Sequence, residues 1–431
     1  MDSHQPPGRP GPRWQAPAAA GPVRASLTLP GSKSMTNRAL VLAALADGPG
    51  VITHPLHARD TLLMARALAT LGARIEDGDT PGSWLVTPGQ PAGDTRVDVG
   101  NAGTVMRFVP PVAALAATTT EFYGDARASE RPVAPILAAL RELGALIDDG
   151  GRGAIPFAVR GTGALAGGVV TIDASASSQF VSGLLLAAPR FDKGVEVRHR
   201  GGRVPSAPHI AMTVQMLRGA GAEVETGSML HNEPGGTHPA DTWRVHPGPV
   251  RAGTLAVEPD VVNAAPFLAA ALVTGGTVTI RGWPRQTTQP AGHLVDLLTR
   301  MGGRCEATAD GLAVTGTGGI AGITADLADV PEVTPVLAAL AALAGSPSRL
   351  TGIGHIRRQE TDRLAALATE INGLGGDVAE LPDGLAIRPR PLRGGVFASY
   401  DDHRLVMAAA VLGLAVPGIE VQNPADRKSV V

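Results

Sequence analysis

Five cationic side chains, Lys33, Arg38, Arg131, Arg363 and Arg404, stand at or beside the starts of apolar, helix-forming stretches. The free N–H groups and positive dipole end of a helix start attract anions, and arginine offers paired donors to a carboxylate or phosphate. The first such cluster is Gly31, Ser32, Lys33 and Ser34, followed by Asn37 and Arg38. It is not a P-loop, because Ser32 stands where that motif needs glycine and no glycine lies five residues earlier. Gly100, Asn101, Ala102, Gly103 and Thr104, with Arg107, open a second stretch, where glycine lets a ligand approach the backbone. Ser177, Ser178 and Gln179 open a third, Arg131 precedes Pro132, and Ser206 precedes Pro208. Glu360 to Arg363 and Asp401 to Arg404 complete the set. Each cluster alone has a plainer reading: surface charge for the cations, ordinary capping for the serines and Asp402. Together they describe a cleft for polyanionic ligands, in which Glu332 and Glu360 are the nearby acids suited to proton transfer. Read as metal ligands, Asp401, Asp402 and His403 lack any partner spacing.

The elements that carry these residues repeat. Six Ala-rich segments of helical length begin near Ser34, Asn101, Ser178, Asn263, Glu332 and Asp402. A second series of helices, interleaved with the first, ends at Gly72, Gly144, Gly221, Gly302 and Gly375, each suited to the left-handed turn that closes a helix. Strand signals lie between, as in Val169 to Ile172, Val195 to Val197, Thr277 to Ile280 and Leu385 to Ile387. Each unit therefore holds two helices and several strands, and one helix per unit is apolar nearly all round, which predicts burial. By the same spacing the sixth unit reaches its glycine beyond Val431, so its last helix is expected to be missing and the tail after Asn423 to be non-native in character.

Composition narrows the function classes. The chain has 431 residues, 44% hydrophobic and 3% aromatic, with 37 basic against 39 acidic residues and no basic block, which implies neither a nucleic-acid nor a membrane-surface partner. Cys305 is the single cysteine, so no internal disulfide forms and a reducing, cytoplasmic setting fits. Only Lys33, Lys193 and Lys428 are lysines in an arginine-favouring chain, which hints that Lys33 is kept for its compact ammonium. Residues 1–23, rich in Pro and Gly, read as a disordered leader. No apolar run approaches the roughly 20 residues of a membrane helix.

In family order, the segments LPGSKSMTNR (Leu29 to Arg38), GNAGTVMR (Gly100 to Arg107), ERP (Glu130 to Pro132), SSQF (Ser177 to Phe180), ETDRL (Glu360 to Leu364) and DHR (Asp402 to Arg404) resemble the 3-phosphoshikimate 1-carboxyvinyltransferases, enolpyruvyl transferases of the shikimate pathway. The resemblance spans about residues 24 to 423. It implies a two-domain inside-out α/β barrel, each domain three repeats of a two-helix, four-strand unit with buried helices. Domain I would comprise 24–31 and 251–431, its last repeat truncated, and domain II 32–250. The implied activity transfers the enolpyruvyl group of phosphoenolpyruvate to the 5-hydroxyl of shikimate 3-phosphate, through a tetrahedral adduct that then releases phosphate. It needs no cofactor or metal, and a monomer is expected.

The family's residues carry over position by position. Lys33, Ser34, Arg38, Ser177, Ser178, Gln179, Ser206, Glu332, His355 and Gln359 would hold shikimate 3-phosphate. Lys33, Asn101, Gly103, Arg131, Gln179, Arg363 and Arg404 would hold phosphoenolpyruvate. Glu332 would take the hydroxyl proton, Glu360 would help protonate the methylene, and Lys33 would neutralise developing charge. The chain departs from the pattern at Gln359, where many members carry a basic residue, at His355, where many carry Asn, and at His209, which replaces a common Tyr. The Lys common after the sixth buried helix has no counterpart, and Lys428 is not assigned its role. Two other readings stay open: a non-catalytic anion-binding remnant, and a UDP-N-acetylglucosamine enolpyruvyl transferase. The second usually carries a reactive cysteine before the ERP-like segment, whereas Gly124 to Ser129 has none.

Overall fold

Ala- and Leu-rich stretches without a polar face can be stable only inside a protein, and in the computed structural model of the chain, which describes residues 12–227 and 241–424, they are its interior helices. The eleven α-helices among these residues are α1 Lys33–Ala44, α2 Arg59–Thr70, α3 Gly103–Ala113, α4 Ala134–Glu142, α5 Gln179–Ala187, α6 Ala207–Gly219, α7 Ala265–Thr274, α8 Ala291–Arg300, α9 Thr334–Ala342, α10 Arg363–Gly373 and α11 His403–Ala415. Every residue of α3 and α9 is buried. Full burial of one Leu or Val side chain stabilises by about 1.5–3 kcal/mol, so these helices dominate the cores. The second series is amphipathic and closes as the sequence predicts, with φ of +100°, +104°, +87°, +101° and +95° at Gly72, Gly144, Gly221, Gly302 and Gly375.

Each repeat lays its strands in one small sheet, five of four strands and one of three among the described residues. Strands flanking an interior helix pair in parallel, as Thr95–Asp98 does with Thr119–Tyr123 around α3. A following hairpin adds two antiparallel strands, here Phe157–Arg160 and Leu146–Asp148. The described residues divide into two compact units, one within 30–260 and one of 12–29 with 261–424. Each has its own apolar core. At the two passages of the chain from one unit to the next, a strand pairs within its own unit although the helix that follows it belongs to the other. Arg24–Thr28 precedes α1 yet pairs in parallel with Thr277–Arg281. Thr254–Ala256 precedes α7 yet pairs in parallel with Gly50–Thr53.

The sequence expectations meet the structure at three points. The strand Thr254–Ala256 draws residues 251–260 into the unit expected to end at 250, and Pro30 and Gly31 belong there too, because Gly31 bridges Pro259. The expected leader is structured over its described part. Arg13–Gln15 forms a strand antiparallel to Ile419–Gln422, and Ala16 behind it is 2% exposed. Three residues whose partners lie more than 400 positions away leave no local periodicity to read. Finally, the sixth repeat has one helix and a three-stranded sheet among the described residues, and the third strand is that same Arg13–Gln15. The tail from 425 on, with Lys428, lies outside the described residues.

Candidate active site

In the 30–260 unit the starts of α1, α3 and α5 meet through their polar residues. Asn37 donates to Thr104 Oγ1 at 2.9 Å, joining α1 to α3. Arg107 of α3 donates to Gln179 Oε1 of α5 at 2.7 Å and lies over the Phe180 ring. Neither α3 nor α5 is capped by the side chain of its N-cap residue, so Ser178 is not the ordinary cap its type suggests. Ser177 Oγ instead accepts from the Gln179 N–H at 3.3 Å. Gly103 sits in the middle of this group. A Cβ there would fall 2.7 Å from Arg131 Nη2, 3.0 Å from Arg107 Nη1 and 3.1 Å from Gln179 Oε1.

The cations of this unit differ in how they are held. Lys33 Nζ is 3.2 Å from Asp60 Oδ2, and its backbone N–H donates to Asp260 Oδ2 at 3.1 Å. Arg131 donates to the carbonyl and the side-chain oxygen of Asn101, while its buried Nε has no hydrogen-bond partner among the described residues. Arg38 is 1% exposed and donates to Thr213 Oγ1 (2.7 Å), Ser34 O (2.9 Å), His209 O (3.0 Å) and Ser182 Oγ (3.3 Å). All four are neutral, and burial pushes the guanidinium down to about 9. These bonds use four of its five N–H donors, which leaves one Nη1 hydrogen for a ligand. Ser206 is buried with φ of +53°, three residues before His209.

In the other unit Asp402 organises the predicted residues. As N-cap of α11 it accepts from Arg404 N at 2.9 Å, and its two oxygens take Arg363 Nε and Nη2 at 2.7 and 3.2 Å. Arg363 also donates to Glu360 Oε2 at 2.8 Å and to Gln359 Oε1. Burial opposes its charge, but Asp402, Glu360 and Glu332 more than offset this and raise its pKa above the ordinary arginine value. Arg404 Nη1 donates to the Glu332 carbonyl at 3.1 Å, which brings Glu332 to the start of α11. His355 lies in the short turn Gly354–Arg358, its buried Nε2 without a hydrogen-bond partner among the described residues. Burial lowers its pKa, Glu332 partly restores it, and Arg363 lowers it further.

Thus Asn101, Gly103, Arg131 and Gln179 gather in one unit beside the Lys33, Ser34 and Arg38 turn, and Glu332, His355, Gln359, Glu360, Arg363 and Arg404 gather in the other. Sequence reasoning missed Asp60 and Asp260, the two carboxylates that hold Lys33. Asp60 falls in the first turn of α2, where an acid is already explained by the helix dipole. Among the described residues the group with metal-ligand geometry is Glu223, Glu225 and His246, which contains none of the predicted site residues.

Fold and site together gather cationic and hydrogen-bond-donating side chains at helix starts, the chemistry that suits anions. Over residues 17–427 the chain matches, and belongs to, the EPSP synthase (3-phosphoshikimate 1-carboxyvinyltransferase) family. It is therefore a transferase of that kind. A 2.37 Å structure of EPSP synthase from Acinetobacter baumannii is similar in fold, with a TM-score of 0.77 and 24% identity over 96% of this chain and 94% of that one. A second EPSP synthase structure from the same organism has a TM-score of 0.76 at 24% identity over 96% and 95%. No helix among the described residues is long and apolar enough to cross a membrane.

Proposed function

We propose that the chain transfers the enolpyruvyl group of phosphoenolpyruvate to the 5-hydroxyl of shikimate 3-phosphate, using the residues that its family motifs single out. One observation carries the residue assignment. Arg38 and Arg131 are buried with only neutral oxygens as partners among the described residues, and burying an uncompensated charge is costly unless an anion is bound beside it. Ligands bearing phosphate and carboxylate supply that charge. Lys33 and Ser34, backed by the charge of Arg38, hold shikimate 3-phosphate with Ser177, Ser178, Gln179 and Ser206. Glu332, His355 and Gln359 complete its binding. Lys33, Asn101, Gly103, Arg131, Gln179, Arg363 and Arg404 hold phosphoenolpyruvate, and the glycine leaves room for it among the donors of Arg131 and Arg107.

Glu332 removes the 5-hydroxyl proton as the oxygen attacks C2 of phosphoenolpyruvate, and Glu360 delivers a proton to the methylene carbon, giving the tetrahedral adduct. Phosphate then leaves with its bonding pair while a proton returns from the methyl carbon, which restores the carbon–carbon double bond. Lys33 neutralises charge that develops in these steps, a contact that gains strength where water is excluded.

Phosphate release from phosphoenolpyruvate is expected only when shikimate 3-phosphate is present. Ligand binding by calorimetry without phosphate release would instead favour a non-catalytic anion binder. Lys33→Met is expected to lower kcat by about 10²–10³-fold, the usual loss for one such charge contact, with a cooperative melt retained at a somewhat lower temperature because the buried Asp60 loses its cation. Unchanged turnover would remove Lys33 from this scheme.

A further inference from the structure

The segment that delivers Asp402 and Arg404 to the start of α11 runs through two consecutive left-handed residues, Tyr400 at φ +53° and Asp401 at φ +54°. Asp tolerates that region. A bulky residue such as Tyr rarely adopts it, and such a conformation persists only where the surroundings over-determine it. Burial does not hold Tyr400, which is 42% exposed. Its hydroxyl is held instead, donating to Glu370 Oε1 at 2.7 Å, while Glu370 Oε2 accepts the Ala398 N–H at 2.9 Å on the other side of the turn. Ser399 adds a second tie. Its hydroxyl donates to Asn423 O at 3.0 Å and accepts from Asp401 N at 3.3 Å, and its carbonyl accepts from Asp402 N at 2.9 Å.

Glu370 lies on α10, seven residues and hence about two turns beyond Arg363. That helix therefore grips the Asp402 segment twice, through Arg363 on the Asp402 carboxylate and through Glu370 on the turn before it. We infer that Tyr400 and Glu370 are positioning residues, a clamp that holds the left-handed turn so that Asp402 aims Arg363 and starts α11 with Arg404 in register. Neither touches substrate in this scheme. The kinetic consequence rests on the function proposed above, since it assumes that Arg363 and Arg404 hold phosphoenolpyruvate.

Two single variants and one double variant of the full chain test the clamp. Tyr400→Phe and Glu370→Ala each remove the hydroxyl–carboxylate bond and are expected to raise the KM for phosphoenolpyruvate about tenfold, what one hydrogen bond to a charged group amounts to. The KM for shikimate 3-phosphate and the melting temperature are expected to stay near wild type. Without any ligand, amide hydrogen exchange at residues 402–405 is expected to rise in both. In the double variant Tyr400→Gly with Glu370→Ala the glycine takes the left-handed conformation without strain, and most of the KM and the slow exchange are expected to recover. Wild-type exchange and KM in the single variants, equal losses for both substrates with a lower melting temperature, or no recovery in the double variant would each overturn the clamp. A wild-type protein that releases no phosphate would count against the proposed function, and the exchange measurements would still decide the clamp.

Discussion

At Gly103 the lack of a side chain is itself a contact. A methyl group there would stand 2.7 Å from Arg131 Nη2 and close to Arg107 and Gln179, so one of three hydrogen-bonded groups would have to move. Gly103→Ala is expected to raise the KM for phosphoenolpyruvate about tenfold, the loss of one charged hydrogen bond, and to leave shikimate 3-phosphate binding near wild type by calorimetry. His355 tests the other unit through pH. Its pKa lies below the ordinary 6.5, so between that lowered value and 6.5 the unfolded chain binds more protons than the folded one, and stability falls as pH drops through this window. His355→Asn is expected to flatten that acid-side fall in melting temperature and to match wild type above neutral pH. The charged residues at helix starts were legible because residue type and position both spoke for them. The carboxylates that hold them were not. Asp60 and Asp260 are distant in sequence from Lys33, 27 and 227 residues away, and only the folded chain shows the pairing.

Among elements, the interior helices were the most legible, because an apolar run with no polar face has one stable location. Their expected openings at Ser34, Asn101, Ser178, Asn263, Glu332 and Asp402 lie within two residues of the observed starts of α1, α3, α5, α7, α9 and α11. Capping was less legible. Ser178 has the right type yet does not cap, whereas Asp362, within the ETDRL segment, caps α10 by accepting from Ala365 N at 3.0 Å and also meets Arg357 at 3.1 Å. Asp362→Ala is expected to cost about 1 kcal/mol, the usual loss for a cap, and to lower the denaturant midpoint of its unit. Because Arg363 is the first residue of α10, fraying of that turn is expected to raise the KM for phosphoenolpyruvate as well.

On the scale of the molecule, two apolar cores imply two cooperative blocks rather than one. The repeats were legible in the sequence itself, whereas the grouping of 24–31 with 251–431 came from the resemblance alone, since pairings such as Arg24–Thr28 with Thr277–Arg281 span some 250 residues and leave no local pattern. The strand Arg13–Gln15 supplies one edge of the sixth sheet, and Ala16 packs where Gly413 leaves space for it. Deleting residues 1–16 is expected to lower one calorimetric transition by about 5–10 °C, as the loss of two or three kcal/mol in a domain of this size implies. The transition of the 30–260 unit is expected to stay where it is. This pairing also sets an order of assembly at the ribosome. Among the described residues the strands of the 30–260 unit find their partners within it, whereas Arg24–Thr28 waits for Thr277–Arg281, and Arg13–Gln15 for Ile419–Gln422. During synthesis one half is finished while the leading end trails with unpaired edges, the condition under which nascent chains mispair and chaperones bind.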